Sequence, residues 1–191
     1  WQRYWNTPPD NTRDSEYLGL VGEILGGGKT SRLYERLVYR ERLADSAGAG
    51  QSPLEIAGLF TLSADVKQGV PVARVEAAMM EELQRFIDEG PTKAELERAR
   101  IAIRAGFVRG LERIGGFGGK ADVLASCEVY AGDPGCYRQS LEWIEAAKPV
   151  DLQRVARQWL SQGDYTLEVL PQPPYSAAAA DAVDRKPGPP V

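Results

Sequence analysis

The stretch best suited to chemistry in this chain is Gly26-Gly27-Gly28-Lys29-Thr30, because Gly-Lys-Thr closes the loops that cradle nucleotide phosphates. Such a loop needs Gly-x-x-x-x-Gly-Lys-Ser/Thr after a strand and before a helix, so that backbone N–H groups and a helix N-terminus surround the phosphates. Here the first glycine position is Glu23, whose charge would face the phosphates, and the segment leading in has helical periodicity. The run therefore reads as a glycine hinge between two helices. A second cluster, GGFGGK at 115–120, has no hydroxyl residue after its lysine and reads as another bend. Backbone without side chains can still approach an extended peptide closely. The candidate substrate-binding residues are accordingly Gly26, Gly27, Gly28, Lys29, Arg32, Gly118 and Gly119, with the reservation that Lys29, Arg32 and Arg40 read first as solvated surface charges.

Other chemistry is excluded by what the sequence lacks. It contains no histidine, which removes Ser/His/Asp and Cys/His nucleophile systems. Two cysteines cannot complete a tetrahedral zinc site. Cys127 and Cys136 match no common metal or redox spacing and read as two small, buried or half-buried thiols; a disulfide cannot be read from spacing alone. Glu81 and Glu82 are adjacent, point to different sides of a helix and make no acid/base pair. No catalytic and no metal-binding residue is expected in this chain.

A net charge of −4 and a pI near 5.1 disfavour a nucleic-acid partner. No apolar run reaches the roughly 20 residues that cross a bilayer, and the opening WQRYWNTPPD has no signal-peptide layout, so no membrane segment is expected. At 191 residues, 43% hydrophobic and 26% charged, the chain has the make-up of one globular domain.

The elements follow from pattern. Residues 3–7 read as a strand ended by Pro8-Pro9. Tyr17, Leu20, Val21, Ile24 and Leu25 share a helical face that stops at the glycines. A second helix starts at Thr30 or Ser31, either of which could cap it, and turns Leu33, Leu37 and Val38 inward. Residues 44–51, ADSAGAGQ, read as an extended strand of small residues. It pairs as a hairpin around Ser52-Pro53 with a strand in which Phe60, Leu62, Ala64 and Val66 alternate with polar residues. Val72, Val75, Met79, Leu83 and Phe86 mark an amphipathic helix ending at Gly90-Pro91. Thr92 and Glu95 form a capping box for a long helix with Leu96, Ala99, Ile103, Phe107, Leu111 and Ile114 inward. Helices over 120–130, 134–147 and 151–160 and a strand over 165–170 complete the body, with Trp143 and Trp159 as core residues. The fold class is α+β, a two-layer sandwich of a mainly antiparallel sheet with helices on one face. Residues 1–171 form this domain, and the Pro/Ala-rich residues 172–191 read as a linker or tail.

The runs ILGGGKTSRLYERLVYRERLADSAGA, GLFTLSADV and EELQRFIDEGPTKAELERAR, with RGLERIGGFGGKADVLA further on, resemble the pitrilysin/insulinase family of zinc metallopeptidases, which includes mitochondrial processing peptidase. The resemblance extends over residues 3–171. It implies homologous α+β domains arranged as two lobes around a peptide chamber, with zinc held in one kind of domain through an inverted H-x-x-E-H motif. Overlaid on that motif, this chain carries Gly19, Gly22 and Glu23, so it resembles a non-catalytic sister domain, the second of four in a long bacterial member. Where many members offer an arginine and a tyrosine to the active site, this chain has Val38 and Asp45. The resemblance thus implies a domain inactive by itself, with zinc in the catalytic domain of the parent protein. Its implied partners are that catalytic domain and the peptide substrate, and self-association of the isolated domain through the vacated face is a further expectation. A stand-alone peptide-binding or scaffold module is the alternative. The compartment, bacterial periplasm or cytoplasm, is left open.

Overall fold

The computed structural model describes residues 1–171, so the linker reading of 172–191 lies outside the described residues. The chain runs β1 (Gln2–Thr7), α1 (Arg13–Gly26), a π-helix (Tyr34–Arg40), β2 (Ala44–Ser52), β3 (Gly58–Val66), α2 (Val72–Glu89) and α3 (Lys93–Gly110). It continues through α4 (Lys120–Ala131), α5 (Tyr137–Ala146), α6 (Pro149–Leu160) and β4 (Asp164–Leu167). The four strands form one sheet in the order β2-β3-β1-β4, antiparallel throughout, which leaves β2 and β4 at the edges. One sheet face is buried under the helices: Phe60, Leu62 and Ala64 of β3 and Trp5 of β1 enter the core with Leu18, Val21 and Leu25 of α1 and Met79, Leu83 and Phe86 of α2. This is the α+β sandwich that the alternation of apolar residues implies.

Local chemistry sets the boundaries. The Thr12 hydroxyl caps α1 by accepting from the Ser15 N–H, and the Gly27 N–H closes the helix on the Glu23 carbonyl at 2.9 Å. The chain then turns at Gly28, whose φ is +88°. Ser31 does not act as the expected cap, since its hydroxyl donates back to the Gly28 carbonyl at 2.7 Å and braces the hinge. The following helix is π-wound, with the Glu41 N–H reaching the Arg36 carbonyl five residues back. Leu33 and Leu37 are fully buried, and Val38 is half-buried.

The small residues of β2 answer to α1, which lies directly on that strand. A methyl group on Gly26 would fall 1.8 Å from the Ala49 backbone nitrogen, and one on Gly22 would fall 2.9 Å from the Gly50 Cα. Helix and strand approach backbone to backbone, which only glycine in the helix and Gly or Ala in the strand allow.

The structure corrects three further expectations. Helix α3 ends at Gly110, and its buried stripe holds only for Leu96 and Ala99; Ile103, Phe107 and Leu111 are half-buried and Ile114 is exposed, because α1 and α5 cover only part of a rod about 27 Å long. The last strand stops at Leu167, leaving Val169 and Leu170 exposed. The cysteines are not free thiols: Cys127 and Cys136 form a disulfide across a Cα separation of 5.4 Å. The left-handed Gly132 that ends α4 turns the chain back, so residues nine apart in sequence meet. Trp143 and Trp159 pack half-buried against the core, and the Trp159 indole donates to Asp14 at 3.0 Å.

Two alanine substitutions in α1 separate backbone approach from helix propensity. Gly26→Ala is expected to cost about 3 kcal/mol by forcing α1 off β2. Gly19, where an added methyl would have no atom within 4 Å, should gain about 0.5–1 kcal/mol as Gly19→Ala. Urea unfolding of both variants checks this, and equal effects would show that the close approach is not limiting.

Candidate functional site

The glycine hinge feeds directly into Arg32, and this side chain organises the region. Its Nε and one terminal nitrogen bind both oxygens of Glu95 at 2.6 and 2.9 Å, and the same terminal nitrogen donates to the Gly90 carbonyl at 3.1 Å. The guanidinium lies 5.1 Å from the centre of the Phe86 ring. Its other terminal nitrogen is buried without a hydrogen-bond partner among the described residues, 3.8 Å from Glu82. Arg32 therefore joins the start of the π-helical segment to the end of α2 and the capping box of α3. It is not the solvated surface charge that its position in the sequence suggests.

Glu95 has two roles. It closes the capping box, accepting from the Thr92 N–H at 2.7 Å while Thr92 accepts from the Glu95 N–H, and it binds Arg32. Burial alone would raise its carboxyl. The hydrogen bonds from Arg32 and from the Thr92 backbone and hydroxyl outweigh that effect and hold it at about 2, against an ordinary 4.5.

Glu82 is 2% exposed and lies among arginines, with Arg85 at 2.5 Å and Arg32 and Arg36 at 3.8 and 3.9 Å. Beside it opens a polar cavity of about 340 Å³, lined by four arginines and four glutamates of the π-helical segment and α2. These charges serve one another: Arg36 binds Glu41 and Glu81 at 2.8 and 2.5 Å, and Arg40 pairs with Glu35. The cavity is an internal ion-pair network with balanced charge. Sequence reasoning passed over Glu82 as a network member, although the four-residue spacing of Arg32, Arg36 and Arg40 was a signal that could have pointed to it.

The seven candidate substrate-binding residues do not converge on one site. Gly27 borders a cavity of about 190 Å³ with Glu23, Ser31, Glu95 and Arg98 near the start of α3, while Gly28 and Lys29 stand exposed on the hinge. Gly118 is at the other end of that helix, its carbonyl 2.7 Å from where a methyl on Gly110 would sit, and Gly119 is buried against the Gly115 carbonyl.

The residues present do not fit a zinc ion. At the places overlaid on the H-x-x-E-H motif stand Gly19, Gly22 and Glu23, and Gly22 faces the β2 backbone with no room for a ligating side chain. Both cysteines are in the disulfide, and the chain has no histidine. Among the described residues no group of three or more Cys, Asp or Glu side chains could hold a metal ion. No helix among them is long and apolar enough to cross a membrane.

Known proteins share this architecture. Residues 2–103 match the model of the family described as the peptidase M16 inactive domain. The zinc protease PqqE of Helicobacter pylori is 27% identical over 167 residues, covering 87% of this chain but 36% of that protein. A Helicobacter pylori protease of known crystal structure superposes with a TM-score of 0.74 at 23% identity, covering 84% of this chain and 38% of that one. The inactive peptidase domain of a Bordetella parapertussis protein superposes with a TM-score of 0.72 at 22% identity, covering 90% and 92%. The chain thus spans about a third of the length of its Helicobacter relative and nearly all of the Bordetella domain.

Removing Arg32 leaves Glu95 and Glu82 without their shared cation, so Arg32→Ala should lower stability by about 3 kcal/mol. Acid should act on the same pair. Because the folded pKa of Glu95 is depressed from 4.5 to about 2, its contribution is complete above the ordinary value and is lost as pH falls from about 4.5 towards 2. Denaturation across that window should show a shallower acid slope in Glu95→Gln than in the unchanged chain; identical slopes would refute the assignment.

Proposed function

The chain belongs to the peptidase M16 inactive-domain family, and on that premise we propose that it is the non-catalytic domain of a zinc-dependent endopeptidase. In this reading it packs on the zinc-bearing domain of its parent protein and forms part of the wall of the peptide chamber. The observation that carries the reading is the closure of α1 onto β2 through Gly22 and Gly26, at the place where the resemblance puts the metal-binding helix. A side-chain ligand there would cost the contact that holds the two layers together. The parent's catalytic domain supplies zinc and the water it activates, and this chain supplies shape.

The peptide-facing surface is the hinge and the edge of the sheet. Gly28 and Lys29 are exposed where a peptide could pass, while Gly26, Gly27 and Arg32 hold that loop in place. Among the described residues, edge strand β2 has one free side and small side chains, which suits addition of an extended peptide as a further strand. Gly118 and Gly119 lie at the other end of α3, outside this surface, and Gly119 is buried, so the peptide-facing assignment covers only the hinge and the β2 edge. The free β2 edge also supports the second reading, a peptide-binding module with no catalytic partner.

Three measurements test these assignments. The dialysed chain should hold no stoichiometric zinc by elemental mass spectrometry and should cleave no fluorogenic peptide; one tight zinc per chain or measurable turnover overturns the non-catalytic assignment. The coding sequence around the chain should carry an H-x-x-E-H helix, and its absence from the parent favours the binding module.

A further inference from the structure

Helix α4 packs little against the rest of the domain, and apolar side chains around it stay in solvent. Phe117 is 94% exposed and Ile114 is 78% exposed, with Val108 and Leu124 beside them in sequence and also exposed. The loop that displays Phe117 is nonetheless tied by its own bonds. Lys120 and Gly119 donate their N–H groups to the Arg113 and Gly116 carbonyls at 2.9 and 3.0 Å. The Arg113 guanidinium donates to the Phe117 carbonyl at 3.0 Å, and the Asp122 carboxylate accepts the Gly118 N–H at 2.7 Å. Gly116 and Gly118 take φ values of +81° and +71°, which the tight turn requires. The result is a pre-formed knob: an aromatic tip flanked by the basic Arg113 and Lys120. Pre-organised aromatic tips lose little entropy on binding and are typical interface anchors.

Next to the knob lies a groove of about 300 Å³ bounded by α3, α4, α5 and the start of α1. Phe107, Val123 and Tyr137 give it apolar walls, with the Phe107 and Tyr137 rings stacked at 5.8 Å. Asp10, Glu16 and Asp122 give it negative charge, and no lysine or arginine lines it among the described residues. Burial raises the Glu16 carboxyl above the usual range even though a hydrogen bond from Ser140 opposes this. Asp122 belongs to both features, since it lines the groove and ties the knob.

We propose that the knob over residues 113–120 of one copy of this chain seats in the groove of a second copy, and reciprocally, to form a two-fold dimer. The match is one of shape and sign: an apolar ring between two cations enters an apolar slot edged by three carboxylates. Because knob and groove adjoin at Asp122, a single two-fold axis can satisfy both insertions, as an isologous interface requires. Dimerisation of this kind is independent of the protease reading, since it concerns only contacts between identical chains.

Sedimentation equilibrium of the 191-residue chain tests it. The unchanged chain should pass reversibly from monomer to dimer as concentration rises, and the dimer should weaken with salt. Phe117→Ser should weaken dimerisation at least about tenfold while leaving the thermal midpoint unchanged at dilutions where both chains are monomeric, because that side chain is exposed in the monomer. Lys120→Glu should weaken it several-fold, and adding Asp10→Lys should restore part of the loss. A chain that stays monomeric at every concentration overturns the proposal, including the case in which the knob binds another domain of the parent. A dimer that survives Phe117→Ser unweakened also overturns it, and failure of the charge swap to restore association overturns the groove as the seat.

Discussion

The contact on which the rest of the structure depends is the backbone approach of α1 to the edge strand β2. With Gly22 against Gly50 and Gly26 against Ala49, helix and strand meet where side chains would normally keep them apart. That approach dictates the composition of β2, whose ADSAGAG run would otherwise be a poor strand. It also brings α1 to its end at the glycines, so the hinge follows from the contact. The same intimacy removes any place for ligating side chains on the sheet-facing side of α1. Packing and loss of chemistry are one fact here: the glycines that let the layers close cannot carry a nucleophile, a base or a metal ligand.

Polar packing takes over where the apolar core ends. Arg32 touches the end of α2, the start of α3 and the face of Phe86, so one guanidinium fixes the relative positions of three segments. Glu82 remains buried because Arg85, Arg36 and Arg32 surround it. A buried carboxylate with a single partner would cost several kcal/mol. The π-winding of Tyr34–Arg40 widens the helical turn at the point where Arg36 and Arg40 reach their glutamates.

Much of this was legible in the sequence, for definite reasons. Period-two alternation in β3 and the 3–4 spacing in α2 each report a single buried face, and each element appears with that face inward. Thr92 and Glu95 identify a capping box by local chemistry alone. Features that depend on distant partners were less visible. The inward stripe of α3 continues in the sequence to Ile114, but in the structure cover thins along it, from buried Leu96 and Ala99 through half-buried Phe107, stacked on Tyr137, to exposed Ile114. Arg32 looks like a surface charge until Glu95, 63 residues away, is placed beside it. The groove beside α4 draws on residues from Asp10 to Ile144, and no window of sequence brings them together.

The bond between Cys127 and Cys136 is the covalent link between α4, which has little other packing, and the start of α5. Forming it takes an electron acceptor, so the chain exists in two covalent states that differ by two electrons and two protons. In a cytosol rich in reduced glutathione the thiol form prevails and α4 is held only by its sparse packing and the peptide chain; in an oxidising periplasm the cross-link prevails and α4 is pinned. The cellular address of this protein is therefore also a mechanical setting, because it determines whether the Phe117 loop stands on a fixed base or a loose one.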